Sequence, residues 1–325
     1  MPQFDAIVEQ ALIFESQGAA AELTSVIVVT ADSGIGVLEC VQSALNSDSR
    51  VEVIVSDNLS TDGSVAELRR RHTDDPRLRI VDNGKNLGFG AGVNVAAAQA
   101  KGDFLLVLNP DCVIQADLIP RLRAVLAELP GVGIVGVRIV DAAGKIEPAA
   151  RRRDPTVWRS AMSLLGVDRW QRRWPTLAGV TLDDTQDSTK LDRVDAVSGA
   201  VMAMSRQTYA RLAGFDEAYF LHCEDLDICR RARDLGLQVL YAGDISVVHS
   251  KGGSSRHRPV FVAWHKHRGM WRWFRRFDPA ARNPALRALV WIGLWLHFGL
   301  GVPVRVWRGW RARNPRVQAG PSASD

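Results

Sequence analysis

Phe104-Leu-Leu-Val-Leu-Asn-Pro-Asp-Cys112 sets five apolar residues in a row, ends the run at a proline and leaves one carboxylate, Asp111, just beyond it. A continuous apolar run of that length fits a strand buried on both faces. Pro110 lacks the amide a central ladder needs, so the strand stops there and Asp111 falls past its carboxyl end. The neighbouring sequence repeats the unit. Ser25-Val-Ile-Val-Val-Thr30, Val51-Glu-Val-Ile-Val-Ser56, Leu78-Arg-Ile-Val81 and Gly133 to Val140 read as further strands. Between them lie helical patterns through Leu38, Val41 and Leu45, after the capping chemistry of Ser60 to Ser64, from Ala91 to Ala100 and from Ala116 to Leu129. Val- and Ile-rich strands alternating with helices predict an α/β fold with a mainly parallel central sheet covered on both faces. Ligands bind such sheets at the carboxyl ends of the strands, so Asp57 and Asp111 are expected to face one crevice.

The chain has 325 residues, 46% of them hydrophobic, enough for one large core with a smaller attachment. Cys40, Cys112, Cys223 and Cys229 lack zinc spacing and read as reduced thiols of a cytosolic protein. The first twenty residues carry Asp5, Glu9 and Glu15 with no basic region ahead of an apolar core, which argues against a secretory signal and for a short amphipathic helix. Charge is unevenly spread. From Lys251 onward fifteen Lys and Arg face two acids, whereas the whole chain carries only +5. A basic tail on an acidic body calls for an anionic partner, either a membrane surface or nucleic acid. From Glu147 to Lys190 the pattern weakens into Arg151-Arg-Arg153 and scattered Trp, which reads as a variable or acceptor-side excursion; regular structure resumes at Val194.

Four further stretches can carry chemistry. Asp57-Asn-Leu-Ser-Thr-Asp-Gly-Ser64 follows a strand and opens a helix, and is read either as a capped turn or as a ligand contact. Asn86-Leu-Gly-Phe-Gly-Ala-Gly-Val-Asn94 puts glycines ahead of a helix N-terminus, which suits phosphate, but lacks the dinucleotide fingerprint. Glu224-Asp225-Leu-Asp227 places adjacent acids after the apolar Tyr219 to Leu221, where one can tune the other for general-base work; Asp227 can also pair with Arg231. His249 ends another apolar run and is either structural or a metal ligand. A lone Asp111 suffices for Mg²⁺ when a diphosphate supplies the other oxygens.

In this order the segments resemble the inverting family 2 glycosyltransferases of GT-A fold, in particular the bacterial rhamnosyltransferase-like branch. The matching elements are Ser25 to Val29, Asp57 to Ser64, Asn86 to Gly90 with Asn94, Leu108-Asn-Pro-Asp111, Ser198-Gly-Ala-Val-Met202, Gly214-Phe-Asp-Glu217, Glu224 to Arg230 and His249. The resemblance implies a catalytic domain over 24–256, with a donor-binding half (24–140) and an acceptor and catalytic half (141–256). It also implies donor contacts at Thr30, Asp32, Asp57, Asn86, Gly88, Phe89, Gly90, Asn94, Asn109 and Asp111. Thr30-Ala-Asp32 stands where many relatives have Asn-Tyr/Phe-Asn. Mg²⁺ or Mn²⁺ is expected on Asp111 and His249. Asp225 is expected as the base supported by Glu224, with Ser198, Gly199 and Arg153 on the acceptor side. The implied donor is dTDP-L-rhamnose, with a UDP-hexose as the alternative, and the acceptor a lipid-linked or polysaccharide glycan of the cell surface.

Residues 288–304 hold no Lys, Arg, Asp or Glu but include His297, three glycines and Pro303, which puts them at the lower limit for a membrane span. With seven Trp residues interspersed among Arg from Trp264 to Trp310, residues 257–325 read as a helical interfacial anchor on the inner face of the cell membrane. Arg mixed with aromatics also suits nucleic acid. The acidic body and ordered carboxylates argue against a nucleic-acid binder, and the intact Asp111, Asp225 and His249 against a silent sugar-binding module.

Overall fold

The computed structural model describes residues 23–182, 191–250 and 258–313. The expected helix ahead of residue 23 and the tail beyond residue 313 lie outside the described residues.

Strands β1 (Thr24–Thr30), β2 (Val51–Asp57), β3 (Leu78–Asp82) and β4 (Phe104–Leu108) are joined through α1 (Gly36–Ser47), α2 (Ser64–Arg71) and α3 (Phe89–Ala97). They lie parallel in the order β3-β2-β1-β4, with Thr30 beside Asp57 and Val28 beside Leu108. Every residue of β1, β2 and β4 is buried, as their apolar runs predict. Their carboxyl ends therefore form one edge. The chain then runs through β5 (Cys112–Val113), α4 (Leu118–Glu128) and β6 (Val132–Val140), and leaves the sheet for an excursion holding β7 (Arg151–Arg152) and α5 (Val157–Leu164). It returns by β8 (Leu191–Arg193), β9 (Ala196–Val197) and β10 (Val201–Ser205), followed by α6 (Arg206–Arg211), α7 (Glu224–Asp234) and β11 (Gln238–His249).

The nine-stranded sheet continues β4-β10-β6-β11-β5, with β8 also on β11. The long ladders are parallel, as expected, and β10 is the antiparallel exception, running against both β4 and β6; β6 and β11 again run with β4. The cause is the excursion, which brings the chain back at the carboxyl edge and sends β10 through the sheet in reverse. β5 folds onto the end of β11, pairing Cys112 with His249, and the Ser250 amide donates to the Asp111 carbonyl. That pairing carries His249 to the edge where β4 ends.

Helix α8 (Pro259–Phe277) packs on the body through Trp273 and Phe274, and Trp273 is only 1% exposed. Truncating a core Trp to Ala typically costs about 3–5 kcal/mol. A short turn capped by Asp278 leads to α9 (Pro284–Arg313), which meets α8 through Trp264, Trp295 and Phe298 and through the His267–His297 contact at 3.1 Å. Over Pro284–Val304, α9 is long and apolar enough to cross a membrane, and none of that window is buried.

Candidate functional site

Among the residues expected at the donor, Asp57 ends β2 and is 6% exposed; its Oδ1 accepts from the Ser60 amide and fixes the turn that follows. Asp32 has φ 53° and its Oδ1 accepts from the amide and hydroxyl of Thr61, which ties the loop after β1 to the loop after β2. Thr30 is buried beside Asp57, and its hydroxyl has no hydrogen-bond partner. Asn58, which the sequence reading passed over, ties the loop after β2 to the glycine loop after β3: its Nδ2 donates to the Gly88 carbonyl and its Oδ1 accepts from Asn83 and the Leu87 amide.

The glycine loop closes on the loop ahead of α7. Gly88 has φ +88°, and a Cβ there would sit 2.4 Å from the Phe220 carbonyl oxygen, which accepts the Phe89 amide at 2.9 Å. Only glycine fits such an approach. Asn86 accepts the Gly88 amide, Phe89 meets Phe215 edge-on at 6.2 Å, and Gly90 lies against Phe215 and Glu224. Asn94, expected in the donor loop, is instead a clamp on the 209–217 segment. Its Nδ2 donates to the Phe215 carbonyl and to Glu217, and its Oδ1 accepts from the Tyr209 hydroxyl and the Phe215 amide, which occupies its hydrogen-bonding capacity.

At the meeting of β4, β5 and β11, His249 Nε2 lies 2.9 Å from Asp111 Oδ1 and its Nδ1 lies 2.9 Å from Glu147 Oε1. Burial disfavours the imidazolium, but hydrogen bonds to both carboxylates outweigh it and raise its pKa to about 9. Cys112 is within 4.8 Å of the pair, yet its thiol is fully buried, directed at the Ala200 carbonyl and pushed well up by burial. Once a cation displaces the proton between His249 and Asp111, the donors are a carboxylate oxygen and an imidazole nitrogen, a set that fits Mg²⁺ or Mn²⁺. Glu147 takes the position of the outer carboxylate that orients a ligating histidine. Asn109 is held next to them by its amide on the Ala200 carbonyl and its carbonyl toward the Cys40 thiol.

The other charged centre stands at the start of α7. His222 and Cys223 adopt φ 67° and 72°, two consecutive non-glycine residues in the left-handed region immediately before Glu224 and Asp225. Such strain persists only where the surroundings enforce it. Here α8 supplies them: a Cβ on Gly269 would lie 2.7 Å from the His222 carbonyl oxygen, and Arg276 bonds both Asp216 and Asp227. Asp225 Oδ2 accepts from Arg152 Nη2 and from the Gly199 amide, and Oδ1 accepts from the Leu226 amide. Burial pushes the Asp225 pKa up, but the Arg152 charge and these hydrogen bonds override it and hold the carboxyl below its ordinary range. Glu224 is the converse. Buried beside Asp225 with Oε2 unpartnered, it is raised to about 8. Two adjacent carboxyls thus keep different protonation states at neutral pH. Asp227 is fully buried against Arg231 and Arg276 and has no path to a ligand.

Of the residues expected on the acceptor side, Gly199 touches Asp225, and Ser198 lies beside it with its hydroxyl accepting the Ala200 amide. Arg153 is not brought to the site: its guanidinium binds Gln171 and the Gly179 and Thr181 carbonyls inside the excursion. Its neighbour Arg152 is the arginine of this run that reaches the Asp225 carboxylate. The Arg151-Arg-Arg153 run signalled a basic element but not which arginine faces inward, and Glu147 gave no signal.

A family model for glycosyl transferase family 2 matches residues 25–187. The chain is 29% identical over 266 residues to N-acetylglucosaminyl-diphospho-decaprenol L-rhamnosyltransferase of Mycobacterium tuberculosis, covering 74% of this chain and 84% of that one. It is 25% identical over 171 residues to rhamnosyltransferase WbbL of Escherichia coli, covering 50% of this chain and 60% of that one. Among solved structures, a mannosyltransferase from Pyrobaculum calidifontis in complex with GDP-Man and Mn²⁺ is similar in fold, with TM-score 0.54 and 19% identity over 96% of this chain and 84% of that one.

Proposed function

Because the chain belongs to glycosyl transferase family 2, we propose that it transfers L-rhamnose, with inversion, from dTDP-L-rhamnose to a lipid-linked glycan at the cytoplasmic face of the cell membrane. The observation that carries the site assignment is the convergence, on one edge of the sheet, of the Asp111–His249 pair with the Gly88–Phe89 loop and the Asp225 carboxylate. Asp57, Asn86 and the Gly88 to Gly90 loop line the donor side, with the buried Thr30 behind them. A divalent cation held by Asp111 and His249 would neutralise charge on the departing diphosphate. Asp225 accepts the proton of the acceptor hydroxyl as that oxygen attacks the anomeric carbon. The carbon–oxygen bond to the diphosphate breaks with its electron pair, and the nucleoside diphosphate leaves. A single displacement inverts the anomeric centre.

Glu224, protonated at neutral pH, adds no second negative charge next to Asp225, which leaves the base ionised. The names of the two rhamnosyltransferase relatives support the sugar, and the diphospho-decaprenol named for one of them supports a prenyl-linked acceptor. Membrane contact is supported by α9, whose Leu289, Ile292, Leu296 and Leu300 side chains are exposed, next to the basic, Trp-rich sequence around it. Competition among dTDP-L-rhamnose, UDP-glucose and GDP-mannose in the presence of a prenyl-diphosphate-linked sugar tests the donor. Preferential rhamnose incorporation is expected, and a clear preference for either hexose donor overturns it.

A further inference from the structure

We propose that residues 157–177 of the excursion form a second membrane-docking element, an aromatic and arginine knob that seats in the interfacial layer of an anionic bilayer alongside α9; it deepens, and rests on, the membrane reading above. Within this stretch Trp158, Leu164, Leu165, Trp170 and Trp174 are each 47–70% exposed. Isolated exposed hydrophobics are ordinary on a soluble surface, but five within seventeen residues are not.

The knob is built to keep them outside. Thr156 caps α5 by accepting the Arg159 amide, and of the helix only Met162 is buried. Its polar groups turn inward: Ser163 donates to Asp168 and accepts the Val180 amide, and Trp158 Nε1 donates to the Thr176 carbonyl, leaving the indole's apolar ring outside. Arg169 covers Trp170 at 4.6 Å and Arg173 covers Trp174 at 5.4 Å. Four arginines stand in the stretch against the single Asp168. Trp with Arg is the composition of a headgroup layer, and a positive surface is drawn to anionic lipid. A glycan would use the Trp faces but has no use for Leu164 and Leu165, the two most exposed members; the acyl boundary accommodates both.

Continuity with α9 supplies the second argument. The buried Asp278 accepts the Val157 amide on Oδ2 and the Ala280 amide on Oδ1, so one carboxylate fixes both the start of the knob helix and the turn that launches α9. The two exposed apolar elements share a root. Arg152, the partner of Asp225, lies only five residues before the knob, so a membrane contact there brings the lipid phase toward the base.

The test is co-sedimentation of the full chain with vesicles of phosphatidylglycerol and phosphatidylcholine, and of phosphatidylcholine alone. The variants are Leu164→Ser with Leu165→Ser, Trp170→Ala with Trp174→Ala, and, in α9, Leu289→Ser with Ile292→Ser. Wild type is expected to bind the anionic vesicles and release in high salt, and each knob pair to lower the partition coefficient about tenfold with melting temperature unchanged. If the α9 pair weakens binding and both knob pairs bind like wild type, the knob is not a membrane element and the membrane reading stands. If wild type fails to bind anionic vesicles, both fall. Knob variants that bind vesicles normally but lose affinity for a soluble glycan acceptor would reassign the surface to sugar.

Discussion

Asp225→Asn removes the proton acceptor at nearly constant size, and the loss of a general base lowers turnover about 10²- to 10⁴-fold, or about 3–5 kcal/mol at 1.36 kcal/mol per decade. The substitution is not structurally silent. Asp225 accepts Arg152 and Gly199 on one oxygen and Leu226 on the other, whereas an amide has a single oxygen. Turned toward Arg152 and Gly199, it presents its NH₂ to the Leu226 amide, and a buried donor left without an acceptor costs about 1–3 kcal/mol. Asp225→Asn is therefore expected to melt somewhat lower than wild type, so activity loss alone does not identify the base. Arg152→Met supplies the control, because it removes the same ion pair and keeps the carboxylate. The assay is steady-state release of nucleoside diphosphate, with donor affinity from calorimetry and melting temperature on the same samples. Asp225→Asn should lose at least about 10²-fold in turnover with donor affinity within about twofold, and Arg152→Met should retain at least tenfold more activity than Asp225→Asn. Transfer by Asp225→Asn within tenfold of wild type, or equal losses in both variants, would refute the assignment. The base would then have to be Glu224, since Asp227 is sealed against Arg231 and Arg276.

Asp111→Ala should abolish Mn²⁺-dependent donor binding with the fold intact, and His249→Ala should weaken it less; Glu147→Gln should lower Mn²⁺ affinity about 10- to 100-fold by releasing the imidazole, and unchanged Mn²⁺ titrations in all three would contradict the metal assignment. Glu224, held near 8 by burial beside Asp225, keeps a proton that the unfolded chain gives up near pH 4.3. Its contribution to stability is thus complete below about 4.3 and is lost as pH rises toward 8, at up to about 1.4 kcal/mol per pH unit. Glu224→Gln, neutral throughout, should flatten that decline in melts from pH 5 to 8, and an unaltered profile would mean that the carboxyl ionises freely. Gly269→Ala forces a methyl onto the His222 carbonyl and should cut turnover up to about 100-fold with little change in donor affinity; wild-type turnover in a folded variant would show that the strained turn is indifferent to α8.

The sheet edge was legible because its signals are local. Pro110 ends β4 within the residues expected, and His249 ends its own apolar run, so both residues announce the carboxyl edge before any pairing is known. Strand direction is not local. Nothing within Val201 to Ser205 sets its direction, and only the excursion's return path makes β10 antiparallel. The arginine run failed for a related reason: alternation along β7 sends Arg151 to Asp192 and Arg152 to Asp225, while Arg153 turns back into the excursion. Those orientations depend on partners 18, 41 and 73 residues away in sequence. Asn94 matched a motif whose sequence does not reveal that its amide is committed to Tyr209, Phe215 and Glu217.

The central claim is cation-dependent transfer of a sugar from a nucleotide donor by the edge that joins Asp111, His249 and Asp225. It is tested most directly by measuring nucleoside diphosphate release from dTDP-L-rhamnose with and without a prenyl-diphosphate-linked acceptor, before and after chelation, and again after Mn²⁺ or Mg²⁺ is restored. Release that requires the acceptor, stops on chelation and returns with the cation is the predicted result. Release that persists in chelator, or no acceptor-dependent release from any nucleotide sugar, would contradict it.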